Sequence, residues 1–464
     1  MVIAALTLMA GGMPTPRREH TGAIDILGCG VPGSLVGACR RPRRSFPLFA
    51  AVAIFVVALG VIASERVDRT KVALLGATLV LLTQTIEQEQ AIEAVDFNTI
   101  GLLVGMMLMV RLTEHTGVYT WLAIRAGQWS GGRPLKVVVA LSITTAVLSA
   151  FLDNVTTILL VVPITFVLAD ALDVDPVPLI VIEIVTSNIG GTATLIGDPP
   201  NILIAGHTGL SFGAFIAHLA PIVVVTLAVV IPGLYLVFRR RLQVSPDARE
   251  RVMQLDASRS IEDAGEARRT VPILLVTILL FFFHKALHLE PATVALAGAS
   301  AMLLVTRQAL QDAIAGIEWP TLFFLIGLFV MVGALEETGA LKEVADGIAS
   351  VTGGDRVAEL LGILWVSAVG SGIVDNIPFT AAMIPVVDDL GGGAGDDAYW
   401  WALALGACFG GNATIVAAAA NVAASGMAAR AGTPISFMTF LRYGIPVTVV
   451  SLVLATGYVM LRYA

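Results

Sequence analysis

Ser149-Ala-Phe-Leu-Asp-Asn-Val-Thr156 returns 222 residues later as Ser371-Gly-Ile-Val-Asp-Asn-Ile-Pro378. Asp153-Asn154 therefore has a twin in Asp375-Asn376, each flanked by apolar runs. The same offset carries Glu114, Thr116 and Gly117 onto Glu336, Thr338 and Gly339. At an offset of 220, Gly190-Gly191-Thr192-Ala193-Thr194 becomes Gly410-Gly411-Asn412-Ala413-Thr414, and Asn201 becomes Asn421. Polar and helix-breaking residues duplicated inside apolar stretches point to two matching halves with a binding site at membrane depth.

Composition agrees. The 464 residues are 56% hydrophobic and 14% charged, against roughly 25% charged in a soluble domain, and mean hydropathy is +0.86. Runs free of Asp, Glu, Lys and Arg cover 45–64, 208–238, 319–335, 398–429 and 443–461, among others. Roughly 20 helical residues cross the hydrocarbon layer, so the chain reads as an all-α integral membrane protein. It is expected to be multi-pass and to sit in the inner or plasma membrane, with lipid as its solvent. A net charge of −7 argues against a nucleic-acid partner. Three cysteines, Cys29, Cys39 and Cys408, form neither a disulfide framework nor a metal-ligand spacing. No GxxxxGK[ST] loop is present, so ATP hydrolysis within the chain is not expected. Nor is an activated nucleophile, which disfavours an enzyme. No cofactor is expected.

Residues 1–45 read as a disordered leader rather than a cleavable signal, because no charged segment precedes the apolar start. The first transmembrane repeat spans 46–238, a hydrophilic linker 239–270 and the second repeat 271–464. Apolar runs 136–152 and 155–171 are a little short for spans and meet at Asp153-Asn154, which predicts a re-entrant hairpin whose polar tip faces protein or water. Segment 177–206 predicts a helix interrupted at Ser187–Gly191 and again at Gly197-Asp198-Pro199-Pro200. Each repeat then holds about five transmembrane helices, one hairpin and one broken helix. An odd number of crossings inverts the second repeat relative to the first. Basic residues, Arg66, Arg69, Lys71, Arg125, Arg133 and Arg239–Arg241 among them, gather on the linker's side. The positive-inside rule makes that side cytoplasmic. Arg40, Arg41, Arg43 and Arg44 dissent, since they fall on the other side.

Three elements carry the chemistry. The first is the pair of tips: Asp153, Asn154, Thr156 and Thr157 in one half, Asp375, Asn376 and Thr380 in the other. A carboxylate in hydrocarbon must pair, protonate or meet a cation; the competing reading is a helix cap. The second is Ser187, Asn188, Gly190, Gly191, Thr192 and Thr194, matched by Gly410, Gly411, Asn412 and Thr414, with Asn201 and Asn421 following. Paired glycines let backbone leave helical geometry and free polar groups for a solute or Na⁺; the competing reading is close packing of helices through small residues. The third is Asp198 beside two prolines. Its counterpart is Ala418, so charge breaks the repeat symmetry, and Asp153, Asn154, Asn188 and Asp198 are the oxygen ligands that would suit Na⁺. The coupling ion is expected to be H⁺ or Na⁺.

Leu152–Leu160 (LDNVTTILL) and Ser187–Ile204 (SNIGGTATLIGDPPNILI) resemble the signature of the arsenite-pump (ArsB) and P-protein permeases. These belong to the ion transporter superfamily, with the NhaD-type sodium/proton antiporters and the citrate transporter-like domain. The resemblance covers about 46–462. It implies inverted repeats, re-entrant hairpins, a scaffold that forms homodimers and elevator-type alternating access. Energy would come from an ion gradient or a separate ATPase subunit. Dicarboxylate carriers of the superfamily bear Ser-Asn-Thr at the tips, where this chain has Asp-Asn-Val and Asp-Asn-Ile. Two aspartates repel a tricarboxylate, so the leading expectation is efflux of arsenite or antimonite driven by protons. Sodium/proton antiport comes next, then anion or citrate-like transport. A gated channel, which would show unitary currents instead of saturable exchange, is the reading from another class.

Overall fold

A computed structural model describes residues 45–463 apart from Glu65 and Leu255. The leader and its arginines lie outside the described residues. Within the described residues every regular element is helical. The first half runs α1 (Ser45–Ala63), α2 (Arg69–Leu82), α3 (Gln88–Glu93), α4 (Phe97–Glu114), α5 (Val118–Trp129), α6 (Pro134–Phe151), α7 (Asn154–Leu172), α8 (Pro176–Gly191), α9 (Pro199–Thr208) and α10 (Phe212–Phe238). After α11 (Pro246–Met253) the order returns: α12 (Ala264–Phe283), α13 (Pro291–Val305), α14 (Leu310–Ala315), α15 (Trp319–Glu337), α16 (Ala340–Thr352), α17 (Arg356–Val374), α18 (Asn376–Leu390), α19 (Ala398–Gly410), α20 (Ala419–Arg430) and α21 (Phe437–Tyr463). Among the described residues, seven helical segments are long and apolar enough to cross a membrane: 88–114, α6, α7, α10, α15, α17 and α21. The protein is thus an all-α, multi-pass membrane protein.

Local chemistry sets the boundaries. Asp68, Asp96, Asp153, Asp175 and Asp375 each cap a helix by accepting a backbone N–H one or two residues inside it, which satisfies donors that a helix start leaves orphaned. Prolines stand in the first turns of α6, α8, α9 and α13, where a missing N–H is harmless. Pro163 inside α7 and Pro385 inside α18 occupy matching positions.

The two halves interlock with matching contacts. A Cβ on Gly105 of α4 would lie 2.7 Å from the backbone of Ala295 on α13, and one on Gly327 of α15 would lie 2.7 Å from the backbone of Ala73 on α2. The two pairs map onto each other at the 222-residue offset, Gly105 onto Gly327 and Ala73 onto Ala295. Small residues let backbones of opposite halves touch without side chains between them. The linker lies against the α5–α8 end of the first half: Glu262 donates its N–H to the Thr116 carbonyl, Arg251 reaches the Ala171 carbonyl at 3.0 Å, and Arg241 pairs with Asp175 at 2.5 Å.

Two expectations are corrected. Ser187–Gly191 does not interrupt its helix; α8 runs through it, and the break covers 192–198. The glycines keep helical geometry and serve close approach instead. A Cβ on Gly190 would sit 2.5 Å from Ala146, and one on Gly410 2.5 Å from Ala368. Gly406–Gly410 is likewise helical at the end of α19. The α6 and α7 runs are not short: they reach 18 and 19 residues, because Pro134 and Asn154 start them earlier. The hydrophilic stretch 239–270 includes the first turns of α12, which Asp263 caps.

Candidate functional site

The tips differ in detail. Asp153 is half-buried; its carboxylate accepts the Thr156 N–H at 2.9 Å and the Thr156 hydroxyl. Asp375 is 5% exposed and accepts the Ile377 N–H at 2.9 Å. Its φ is 141°, a conformation an L-residue rarely adopts, which costs on the order of 1–3 kcal/mol and persists only where surroundings enforce it. Its carboxylate also pairs with Arg69, whose Nη1 lies 2.9 Å from Asp375 Oδ2. Both aspartates therefore cap their helices, and the cap is part of their role. Thr380 turns its hydroxyl back onto the Asn376 carbonyl at 2.7 Å, while buried Thr157 has no hydrogen-bond partner for its hydroxyl.

Behind the tips the two broken segments meet in a buried amide network. Asn154 Nδ2 donates to Asn188 Oδ1 at 3.2 Å. Asn188 Nδ2 donates across the halves to Asn421 Oδ1 at 2.9 Å and Asn412 Oδ1 at 3.1 Å. The matching crossing pairs Cys408 Sγ with Asn201 Oδ1 at 3.7 Å. Positions 188 and 408, and 201 and 421, are both 220 apart, so the crossing is pseudo-symmetric. Asn201 donates to the carbonyls of Thr192 and Thr194 at 3.0 and 2.8 Å, and Asn421 to those of Gly411 and Thr414 at 2.7 and 2.8 Å. The two asparagines thus satisfy carbonyls that the helix breaks leave free. Ser187 bonds Ser149 at 3.1 Å, Thr194 the Ala150 carbonyl, Thr414 the Gly372 carbonyl at 2.8 Å, and Thr192 the Asn188 carbonyl at 2.8 Å. Gly191 faces Asn154 as Gly411 faces Asn376.

Asp198 stands apart. It is wholly buried at the N-cap of α9, yet its side chain makes no cap bond. Oδ1 accepts Asn376 Nδ2 from the other half at 3.1 Å, and Oδ2 has no donor in hydrogen-bonding geometry. Ala418 holds the same extended backbone at the start of α20. Buried polar atoms rarely lack a partner; Asn154 Oδ1 and Asn412 Nδ2 share this property.

Two adjoining cavities open onto these groups. A small one of about 30 Å³ is lined by Asp153, Asn154, Asp198, Glu318, Asn376 and Ala418 among others, room for about two waters at most, or an ion. A cleft of about 570 Å³ shares Arg69, Val155, Glu318, Thr321 and Ala419 with it and adds Asp68, Val374 and Asp375. Among the described residues they together present five carboxylates to one cation, Arg69. Of the four ligands expected for Na⁺, Asp153, Asn154 and Asp198 line the small cavity, and Asn188 supports Asn154 from behind. The sequence reading missed Arg69 and Glu318, and it left Ser149 and Ser371 out of the site. The serines could have been found, because they open the repeated octapeptide; Ser371 donates to the Ala407 carbonyl at 2.6 Å.

The family model described as CitMHS, citrate transporter, matches residues 59–406. An uncharacterized transporter of Mycobacterium tuberculosis is 44% identical over 421 residues, covering 89% of this chain and 98% of that protein. The P protein of Homo sapiens is 32% identical over 499 residues, covering 89% of this chain and 60% of that protein. The crystal structure of the YdaH transporter of Alcanivorax borkumensis superposes with a TM-score of 0.56 at 14% identity, covering 89% of this chain and 97% of that one. That likeness concerns the fold.

Proposed function

The chain belongs to the CitMHS citrate transporter family and is a membrane transporter, not an enzyme; from that premise we propose that it moves a small uncharged or cationic solute by secondary active transport. Arsenous acid and its antimony analogue are the leading cargo, expelled in exchange for protons. The observation that carries this reading is the set of five carboxylates facing one arginine in the joined cavities. A tricarboxylate would meet net negative charge there, whereas a neutral hydroxide or a cation would not. Sodium/proton exchange is the second reading, favoured by the unpartnered Asp198 oxygen beside Asp153 and Asn154. Citrate-like transport ranks third.

Alternating access in this reading moves the α6–α9 and α17–α20 segments against the interlocked α2–α4 and α13–α15 scaffold, with inverted repeats and re-entrant tips. A homodimer formed through the scaffold, and an ATPase subunit that adds energy, belong to the same proposal. Uptake into everted vesicles under an imposed pH gradient tests the cargo. Saturable, gradient-driven accumulation of arsenite, with sodium and citrate failing, supports the leading reading. Sodium-dependent dissipation of the gradient without arsenite uptake would move the assignment to the second.

A further inference from the structure

We propose that Arg69 is an internal counter-ion that the coupling cation or proton displaces from Asp375, and that this release frees the α17–α18 tip from the scaffold. The proposal rests on the transporter reading of the same site and adds a positioning residue to it.

Asp375 is 5% exposed, and a carboxylate so placed needs a positive partner. Its partner, Arg69, is the first residue of α2, on the scaffold and 306 residues away in sequence. The guanidinium is held from a second side by the ring of Phe324 on α15, 5.2 Å from its centre. This one side chain therefore bridges the mobile tip and two scaffold helices. The repeat-related tip has no such tether: Asp153 spends its oxygens on Thr156 of its own helix.

Arg69 also borders the cleft and is about a quarter exposed, so an incoming ion can reach the pair. The other charged groups lining the two cavities are Asp68, which caps α2 through the N–H groups of Thr70 and Lys71, Glu318 at the start of α15, Asp153 and Asp198. All four are acids, so among the described residues no second cation lines the cavities to replace Arg69. Asp375 is thus neutralised by Arg69, by an ion or by a proton, and only the first ties the tip to the scaffold.

The test uses the full chain with Cys29→Ser, Cys39→Ser and a reporter cysteine, Val374→Cys, which borders the cleft beside Asp375; Cys408 is fully buried. Maleimide labelling of the purified protein is compared between variants at equal pH, so thiolate chemistry cancels, and no cargo is needed. Arg69→Gln should label several-fold faster, Arg69→Lys at the parent rate, and Asp375→Asn as fast as Arg69→Gln, with no further gain in the double variant. Sodium, against choline at equal ionic strength, or a step to acid pH, should accelerate labelling in the parent relative to Arg69→Gln. Parent-like labelling in Arg69→Gln, additive effects in the double variant, or a parent insensitive to both sodium and acid would overturn the proposal. If Arg69→Gln fails to insert, Asp375→Asn alone decides, since slow labelling there has the same meaning. Failure of arsenite transport in vesicles leaves this labelling result untouched, so the two readings fall separately.

Discussion

Asp153, Asp375 and Asp198 look alike in sequence and differ in chemistry. The first two cap helices, and asparagine caps as well as aspartate. Asp153→Asn and Asp375→Asn should therefore insert normally and lose gradient-driven transport, because only the charge is removed; wild-type transport rates in both would reduce them to caps. Asp198 makes no cap bond, so Asp198→Asn should weaken the pH or Na⁺ dependence of transport without lowering the melting temperature. An unchanged dependence with a lowered melting temperature would sink its coupling role. Ala418→Asp, on matching backbone, should create no second site, because Asn154, the repeat counterpart of Asn376, gives its amide N–H to Asn188. The tips and the amide positions were legible in the sequence because each occurs twice. Arg69 was not. An ion pair spanning 306 residues leaves no periodic trace, and its repeat partner is Pro291, so symmetry could not flag it either.

At the scale of elements, small residues decide how closely helices pack. Gly190→Ala and Gly410→Ala each push a methyl group into the neighbouring helix backbone and should cost about 1–3 kcal/mol, as overpacking does; melting in detergent measures it. Glycine pairs were legible, but their purpose was misread. Pattern alone does not separate a glycine that breaks a helix from one that admits a neighbour, and here contact with α6 and α17 settles it. Arg356, the first residue of α17, holds Asp396, which lies outside the spans in the loop before α19, with two hydrogen bonds, at 2.5 and 3.0 Å. Those bonds keep the Asp396 carboxyl below the usual carboxylate range. The sign follows: a depressed folded value gives stability that is complete above the ordinary carboxylate range and is lost as pH falls through the lowered one. Both side chains are partly exposed, so the effect should stay within about 1 kcal/mol. Arg356→Gln should flatten that part of the acid limb of thermal stability; an unaltered limb would show the pair contributes nothing.

At the scale of the molecule, ten helices recur in one order, and Gly105–Ala295 with Gly327–Ala73 lock opposite halves together. The order was legible from hydropathy and the 222-residue offset. The interlocking was not, because contacts between halves leave no local pattern. The linker packs beside the basic α5–α6 end, so a cysteine at exposed Ser245 reports sidedness. Ser245→Cys should resist an impermeant reagent in intact cells and label after permeabilisation; ready labelling in intact cells would reverse the topology. In the proposed mechanism, paired, acid-bearing tips couple a small solute to an ion gradient. That coupling is measured by setting gradient-driven accumulation against equilibrium counterflow in proteoliposomes of the wild type, Asp153→Asn and Asp375→Asn. Both variants should lose accumulation under an imposed pH or sodium gradient while solute exchange at equilibrium continues. Accumulation at the wild-type level in both variants would contradict it.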